Sequence, residues 1–230
     1  MLMKNGRYRV IRPTRKFGDH PQWPDVVTRV RRSVDDCGLQ SGEEVISTTE
    51  DGTEAVLSVQ IKGLKTGLAG ATAHFGVICP KHEQFRGHFA YGGVVISAVP
   101  AVLTCYGSYK DYRVKENWGL GLDQCIARFA ADVRRFGPLV EALKATRIDR
   151  VKADALAYRL FARKIIAPGA LQTFAANRQG AQFETCWGFL RAANSAVGCR
   201  APISETPRTD QFKSMYRVAQ EVMETFEMKL

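Results

Sequence analysis

The residues of this chain best suited to chemistry lie between Phe85 and Trp118, and what they suit is binding rather than bond-making. Tyr106, Tyr109 and Tyr112 recur at every third position among Lys110, Arg113 and Lys115, with Arg86 a little upstream. Aromatic rings stack on unpaired bases while cationic side chains neutralise phosphates, and a single-strand binder needs both. Tyr is equally suited to the rim of a sheet, where its ring packs and its hydroxyl stays wet. On a regular strand positions 106 and 112 share parity and 109 does not, so only one set of rings faces a bound strand.

Further cations extend such a surface. Residues 1–16 carry Lys4, Arg7, Arg9, Arg12, Arg15 and Lys16 without an acid, and the alternation from Arg7 to Arg12 reads as a short strand able to track phosphates. Arg128 and Arg135, seven positions apart, fall on one outer face of a long helix. The formal net charge of +10 favours polyanionic partners by long-range attraction. The expected nucleic-acid surface is therefore Arg7, Arg9, Arg12, Arg86, Tyr106, Tyr109, Lys110, Tyr112, Arg113, Lys115, Arg128 and Arg135, with single-stranded DNA the favoured ligand.

Catalytic constellations are weaker. Cys79-x-x-His82, with His88 and His74 in the same part of the chain, supplies one short-spaced pair. A structural zinc site needs four ligands, usually as two such pairs, so neither metal nor cofactor is expected. The glycines between Lys62 and Ala71 lack the G-x-x-x-x-G-K-[ST] order of a phosphate loop. No paired carboxylates or nucleophile motif can be located, and no catalytic residue is assigned.

The elements that must carry these residues follow from periodicity. Val26, Val27, Val30 and Val34 fall at helical spacing from Asp25 to Cys37, with Asp25 as N-cap and Gly38 as C-cap. Glu44–Thr49 and Glu54–Lys62 are two β-branched runs around Glu50-Asp51-Gly52-Thr53, a hairpin signal. Ala73–Cys79 is another strand. Val94–Cys105 has six β-branched residues in twelve, and Pro100 within it marks an edge, a bulge or the join of two short strands.

From Leu122 the pattern becomes helical. Leu122, Ile126, Phe129, Val133, Phe136, Val140 and Leu143 form a four-three seam, with Pro138 expected to kink or restart the helix. A second helix is expected from Asp149 to Ala167, with Val151, Ala155, Tyr158, Leu160 and Ile165 inward. A third runs from Phe183 to Val197, and a last one from Thr209 carries Phe212, Met215, Tyr216, Ala219, Val222 and Phe226 inward. The expected architecture is one α+β domain over residues 1–230, an antiparallel sheet from the N-terminal half packed with a helical C-terminal half. Six scattered cysteines read as reduced thiols of a cytosolic protein. The start MLMKNGRYRVIRP has no apolar signal core, and no apolar run reaches membrane-spanning length.

The block order GHFAYGGVVISAVPAVLTCYGSYKDYRVKENW, VEALKATRI and CWGFLRAANSA resembles a family of phage and plasmid proteins of unknown function. His88 stands at that family's S-H-D-G-S-like block, Cys105 at its V-C-x-N-like block, and Trp187 to Asn194 at its late W-x-x-x-N motif. Gly107 replaces the Asn and Lys115 the His of an R-H-T-like block. The resemblance implies a mobile-element origin in a bacterial host. The expected function is single-strand binding or annealing in recombination or replication, with a possible homo-oligomer. The alternative is a phage inhibitor that meets an acidic patch of a host defence or replication protein. An enzyme is the least favoured reading.

Overall fold

The computed structural model describes residues 2–4, 7–9, 23–48, 54–63, 71–80, 89–96, 99–108, 118–177, 184–198 and 209–229. An antiparallel pair, β1 (Leu2–Lys4) and β2 (Arg7–Arg9), is followed by helix α1 (Trp23–Asp36). A five-stranded sheet comes next: β3 (Ser41–Thr48), β4 (Glu54–Ile61), β5 (Ala71–Pro80), β6 (Phe89–Ile96) and β7 (Val99–Ser108). Each strand pairs antiparallel with the next, so spatial order equals chain order. Then come α2 (Trp118–Ala145), α3 (Arg150–Ala162), a 3-10 turn at Pro168–Ala170, α4 (Leu171–Asn177), α5 (Cys186–Gly198) and α6 (Thr209–Thr225). Among the described residues the sheet has no strand beyond Ser108. The chain is thus α+β, with an antiparallel sheet in the N-terminal half and helices in the C-terminal half.

Period-two alternation decides which face of the sheet is covered. Leu57, Val59 and Ile61 stand opposite Val77, Phe75 and Ala73, and all six are buried. The α2 seam lies over this face: Leu122, Ile126, Phe129, Val133, Phe136, Val140 and Leu143 are all buried, and the Phe129 and Phe75 rings meet at 5.1 Å. Pro138 does not restart the helix, which runs through it. On the opposite face Ser58, Gln60 and Thr72 stay half-exposed.

The run Val94–Cys105 is two strands, β6 and β7, with Ile96 opposite Val99. Pro100 is therefore the second residue of a strand, where a missing N–H costs least. Gly92 and Gly93 lie inside β6. Gly92 is required by packing. A Cβ there would come within 2.7 Å of Phe129 Cδ2, 2.8 Å of Thr104 Oγ1 and 2.9 Å of Phe136 Cζ.

Helix α1 begins two residues before the expected N-cap, leaving Asp25 in its first turn. It ends as expected: Gly38, at φ +67°, takes the left-handed conformation, and the N–H of Leu39 donates to the Val34 carbonyl at 3.2 Å. Asp123 of α2 accepts from Arg29 and Ser33 of α1, fastening the two helices, and the Arg29 hydrogen bond holds its carboxyl below the usual carboxylate range.

The α3 expectation holds for Leu160 and Ile165, which are buried, and fails for its length and its other inward residues. The helix ends at Ala162, not Ala167, and its buried residues are Ala153, Leu156, Ala157 and Leu160. Val151, Ala155 and Tyr158, expected inward, are exposed. What decides this is α6, which holds the other side of α3: Arg163 donates to Glu221, Arg159 donates to Thr225, and the Lys152 ammonium lies 5.8 Å from the Phe226 ring centroid. Helix α4, not expected from the sequence, packs Phe174 between Phe161 of α3 and Phe189 of α5.

Candidate nucleic-acid interface

Tyr106 is the central correction to the expected surface. It is 7% exposed and lies beneath α2, its ring edge-on to Phe129 at 6.1 Å and 6.3 Å from Phe75. Its hydroxyl is buried without a hydrogen-bond partner among the described residues, and burial, with a smaller contribution from the nearby Asp132 charge, pushes the phenol above its ordinary value. No face of this ring is available to a base. The cause is tertiary: Thr104, on the same strand, stands opposite Gly92, and the vacant Cβ position there admits Phe129 and Phe136 from above. Tyr106, two residues on, falls under the same helix.

Arg12, Arg86, Tyr109, Lys110, Tyr112, Arg113 and Lys115 lie outside the described residues. Arg7 and Arg9 are placed by backbone alone, in register with Lys4 and Leu2.

Arg128 and Arg135 are where the seven-residue spacing puts them, exposed on the outer face of α2. Arg134 joins them. It was missed because it lies a row away from Arg135 around the helix, outside the stripe that the spacing defines. These three span about 10 Å of helix axis. Ala127, Ala131 and Pro138 are the exposed short side chains among them, with Gln124 and Glu141 exposed at the two ends and Asp132 half-buried between Arg128 and Arg135. Among the described residues neither Arg128 nor Arg134 has an ion-pair partner.

The cations of α1 are differently placed. Arg29 is committed to Asp123, Arg31 bonds both oxygens of Glu44 at 2.8 and 2.9 Å, and Arg32 lies 3.7 Å from Asp36. Exposure alone therefore does not identify a phosphate contact; on α2, Arg128 and Arg134 are exposed without an ion-pair partner among the described residues.

Catalytic chemistry has little to work with. His74, 7% exposed, lies between two hydroxyls, Ser58 Oγ at 2.9 Å from Nδ1 and Thr72 Oγ1 at 2.5 Å from Nε2. Burial lowers its pKa to about 4, so at neutral pH the ring is uncharged, donating through one nitrogen and accepting through the other. That is a satisfied buried histidine, and it fits a structural role. Burial pushes the Cys186 thiol up to about 11 and raises that of Cys37, which keeps both protonated and poorly nucleophilic. Among the described residues no three His, Cys, Asp or Glu come together as a metal site, while His82 and His88 lie outside them. Asn194 of the late Trp187–Asn194 block is 1% exposed, and neither amide atom has a hydrogen-bond partner among the described residues. No helix among the described residues is long and apolar enough to cross a membrane.

Comparison with protein-family models, curated protein sequences and solved structures finds no match to this chain.

Proposed function

We propose that this protein binds nucleic acid, with single-stranded DNA favoured, and that the outer face of α2 supplies phosphate contacts. The observation that carries this reading is the exposed ridge of Arg128, Arg134 and Arg135, on a chain of net charge +10. Binding of this kind follows the sugar-phosphate backbone and releases counterions, so it needs no metal, cofactor or catalytic residue. In keeping with the block order of its sequence, the biological setting we propose is recombination or replication of a phage or plasmid in the cytoplasm of a bacterial host. Base stacking, if used, falls to Tyr109 or Tyr112, since Tyr106 is spent on the core.

Titration of single- and double-stranded oligonucleotides at two salt concentrations tests the proposal. Affinity should fall steeply with salt, and Arg128→Ala or Arg134→Ala should each flatten the single-strand dependence by about 0.7 of a log unit per log unit of salt. Absent binding, salt-insensitive binding, or unchanged slopes in folded variants would remove α2 from the interface.

A further inference from the structure

The side of α3 turned away from the core carries an apolar seam of its own. Val151 is 78% exposed and Tyr158 75%, with Ala155 and Ala162 also exposed. The intervals 151–155–158–162 are four, three and four, the repeat by which one helix presents a continuous stripe to another. The stripe spans about 16 Å. It is no accident of a loose helix: the buried side of α3 is fixed by Leu156 and Leu160 in the core and by the Arg163–Glu221 and Arg159–Thr225 bonds to α6.

The charges around the stripe indicate what it meets. Arg147, Arg150, Lys152 and Lys164 are exposed near it, while Arg163 is paired with Glu221 on the α6 side. Against them stand Asp149, whose carboxylate caps the helix through the Lys152 N–H at 2.8 Å, and Asp154, which Arg150 approaches at 3.9 Å. A second copy of the chain would bring the same cations to the seam and add the repulsion of two +10 molecules. An acidic partner removes both penalties.

We propose that the outward seam of α3, formed by Val151, Ala155, Tyr158 and Ala162, docks an amphipathic helix of another protein whose flanking positions are acidic. Tyr158 is the anchor, a large ring standing between two alanines that let a facing helix approach closely. The contact is small, so the complex is weak and exchanges readily. It requires no phosphate contact by α2 and stands whether or not that face binds nucleic acid.

The test uses the full chain and a fluorescent synthetic helix of about three heptads, with Leu at its a and d positions and Glu at e and g. Saturable binding is expected, weakened at least tenfold by Tyr158→Ser and weakened also by the double change Arg150→Glu with Lys164→Glu. A matched peptide with Lys in place of Glu should not bind. Circular dichroism and the thermal midpoint of each variant confirm that these exposed positions leave the fold intact. The proposal fails if the Glu peptide does not bind, if the Lys peptide binds as well, or if Tyr158→Ser leaves affinity unchanged. Two further results overturn it by naming another occupant. Sedimentation showing a dimer that Tyr158→Ser dissolves would assign the seam to a second copy. An oligonucleotide that displaces the peptide, and whose own binding is lost in Tyr158→Ser, would assign it to nucleic acid.

Discussion

Helices α2 and α3 both carry apolar four-three seams, yet one seam is core and the other is surface. In α2 the seam holds Leu, Ile, Phe and Val while the opposite side holds small, polar and charged residues, so one orientation alone buries large side chains. In α3 both sides are apolar. Ala153, Leu156, Ala157 and Leu160 face inward while Val151, Ala155, Tyr158 and Ala162 face out, and neither set is decisively larger. A periodic pattern thus establishes that a helix has a stripe; which of two stripes is buried is settled by what the neighbouring helix can hold.

The widest separation between the two seams should appear on truncation. Phe129→Ala removes a ring that touches Phe75, Tyr106 and Phe136 and should cost about 4 kcal/mol, the usual range for a buried Phe. Tyr158→Ala, at a ring three-quarters in water, should stay within about 0.5 kcal/mol of wild type. Urea denaturation of the two variants measures both. Comparable losses would mean that the α3 seam is covered in solution.

Gly92→Ala probes the same core from the sheet side. Its added methyl group meets two ring atoms and a hydroxyl at under 3 Å, none of them the far end of a flexible side chain, and should cost about 2 to 3 kcal/mol. A loss under about 0.5 kcal/mol would show that α2 moves aside freely, and with it the argument for burying Tyr106.

Gly92 also shows where the sequence stops being legible. The α1 stripe, the β3–β4 pair, the β5 strand and the α2 seam were readable because each depends on local period and turn chemistry. The need for glycine at 92 is not legible locally, because it serves a ring more than thirty residues away and its reason lies across the sheet. Tyr106 was read as surface for the same cause, and Val151, Ala155 and Tyr158 of α3 were misplaced because the choice of stripe is made by Glu221, Thr225 and Phe226. Of the proposed binding surface, the outward placement of Arg128 and Arg135 was legible from helical spacing alone.

Acid should weaken the sheet through His74. Its folded pKa of about 4 lies below the ordinary histidine value of 6.5, so between these pH values the unfolded chain takes up a proton that the folded chain refuses. Stability is therefore unaffected by this residue at pH 7 and above, falls as pH drops from 6.5 to about 4, and is lower by about 2 to 3 kcal/mol at the bottom of that window. His74→Gln can bond both hydroxyls without titrating and should flatten this part of the profile. Asp123, held low by Arg29, adds its own loss at more acid pH as its carboxylate protonates. An unchanged slope between pH 6.5 and 5 in the Gln variant would place the sensitivity elsewhere.

The smallest effect separates the stability of α3 from the work we assign to it. Helix α3 ends like α1: the N–H of Ile165 donates to the Leu160 carbonyl at 2.9 Å and that of Lys164 to Phe161 at 3.0 Å, just as Leu39 and Gly38 donate to Val34 and Asp35. At α1 the left-handed position is glycine, whereas at α3 it is Lys164, at φ +56°. A side chain there carries a steric cost that glycine lacks, partly offset by the greater freedom of glycine in the unfolded chain, so Lys164→Gly should stabilise the fold by about 0.5 to 1 kcal/mol. The same change removes one cation from the rim of the seam, so affinity for the Glu-flanked helix should fall while the thermal midpoint rises. Opposite signs from one substitution are not what a purely structural residue gives. A lowered midpoint would show that the Lys164 side chain contributes more to the fold than its strained backbone takes away.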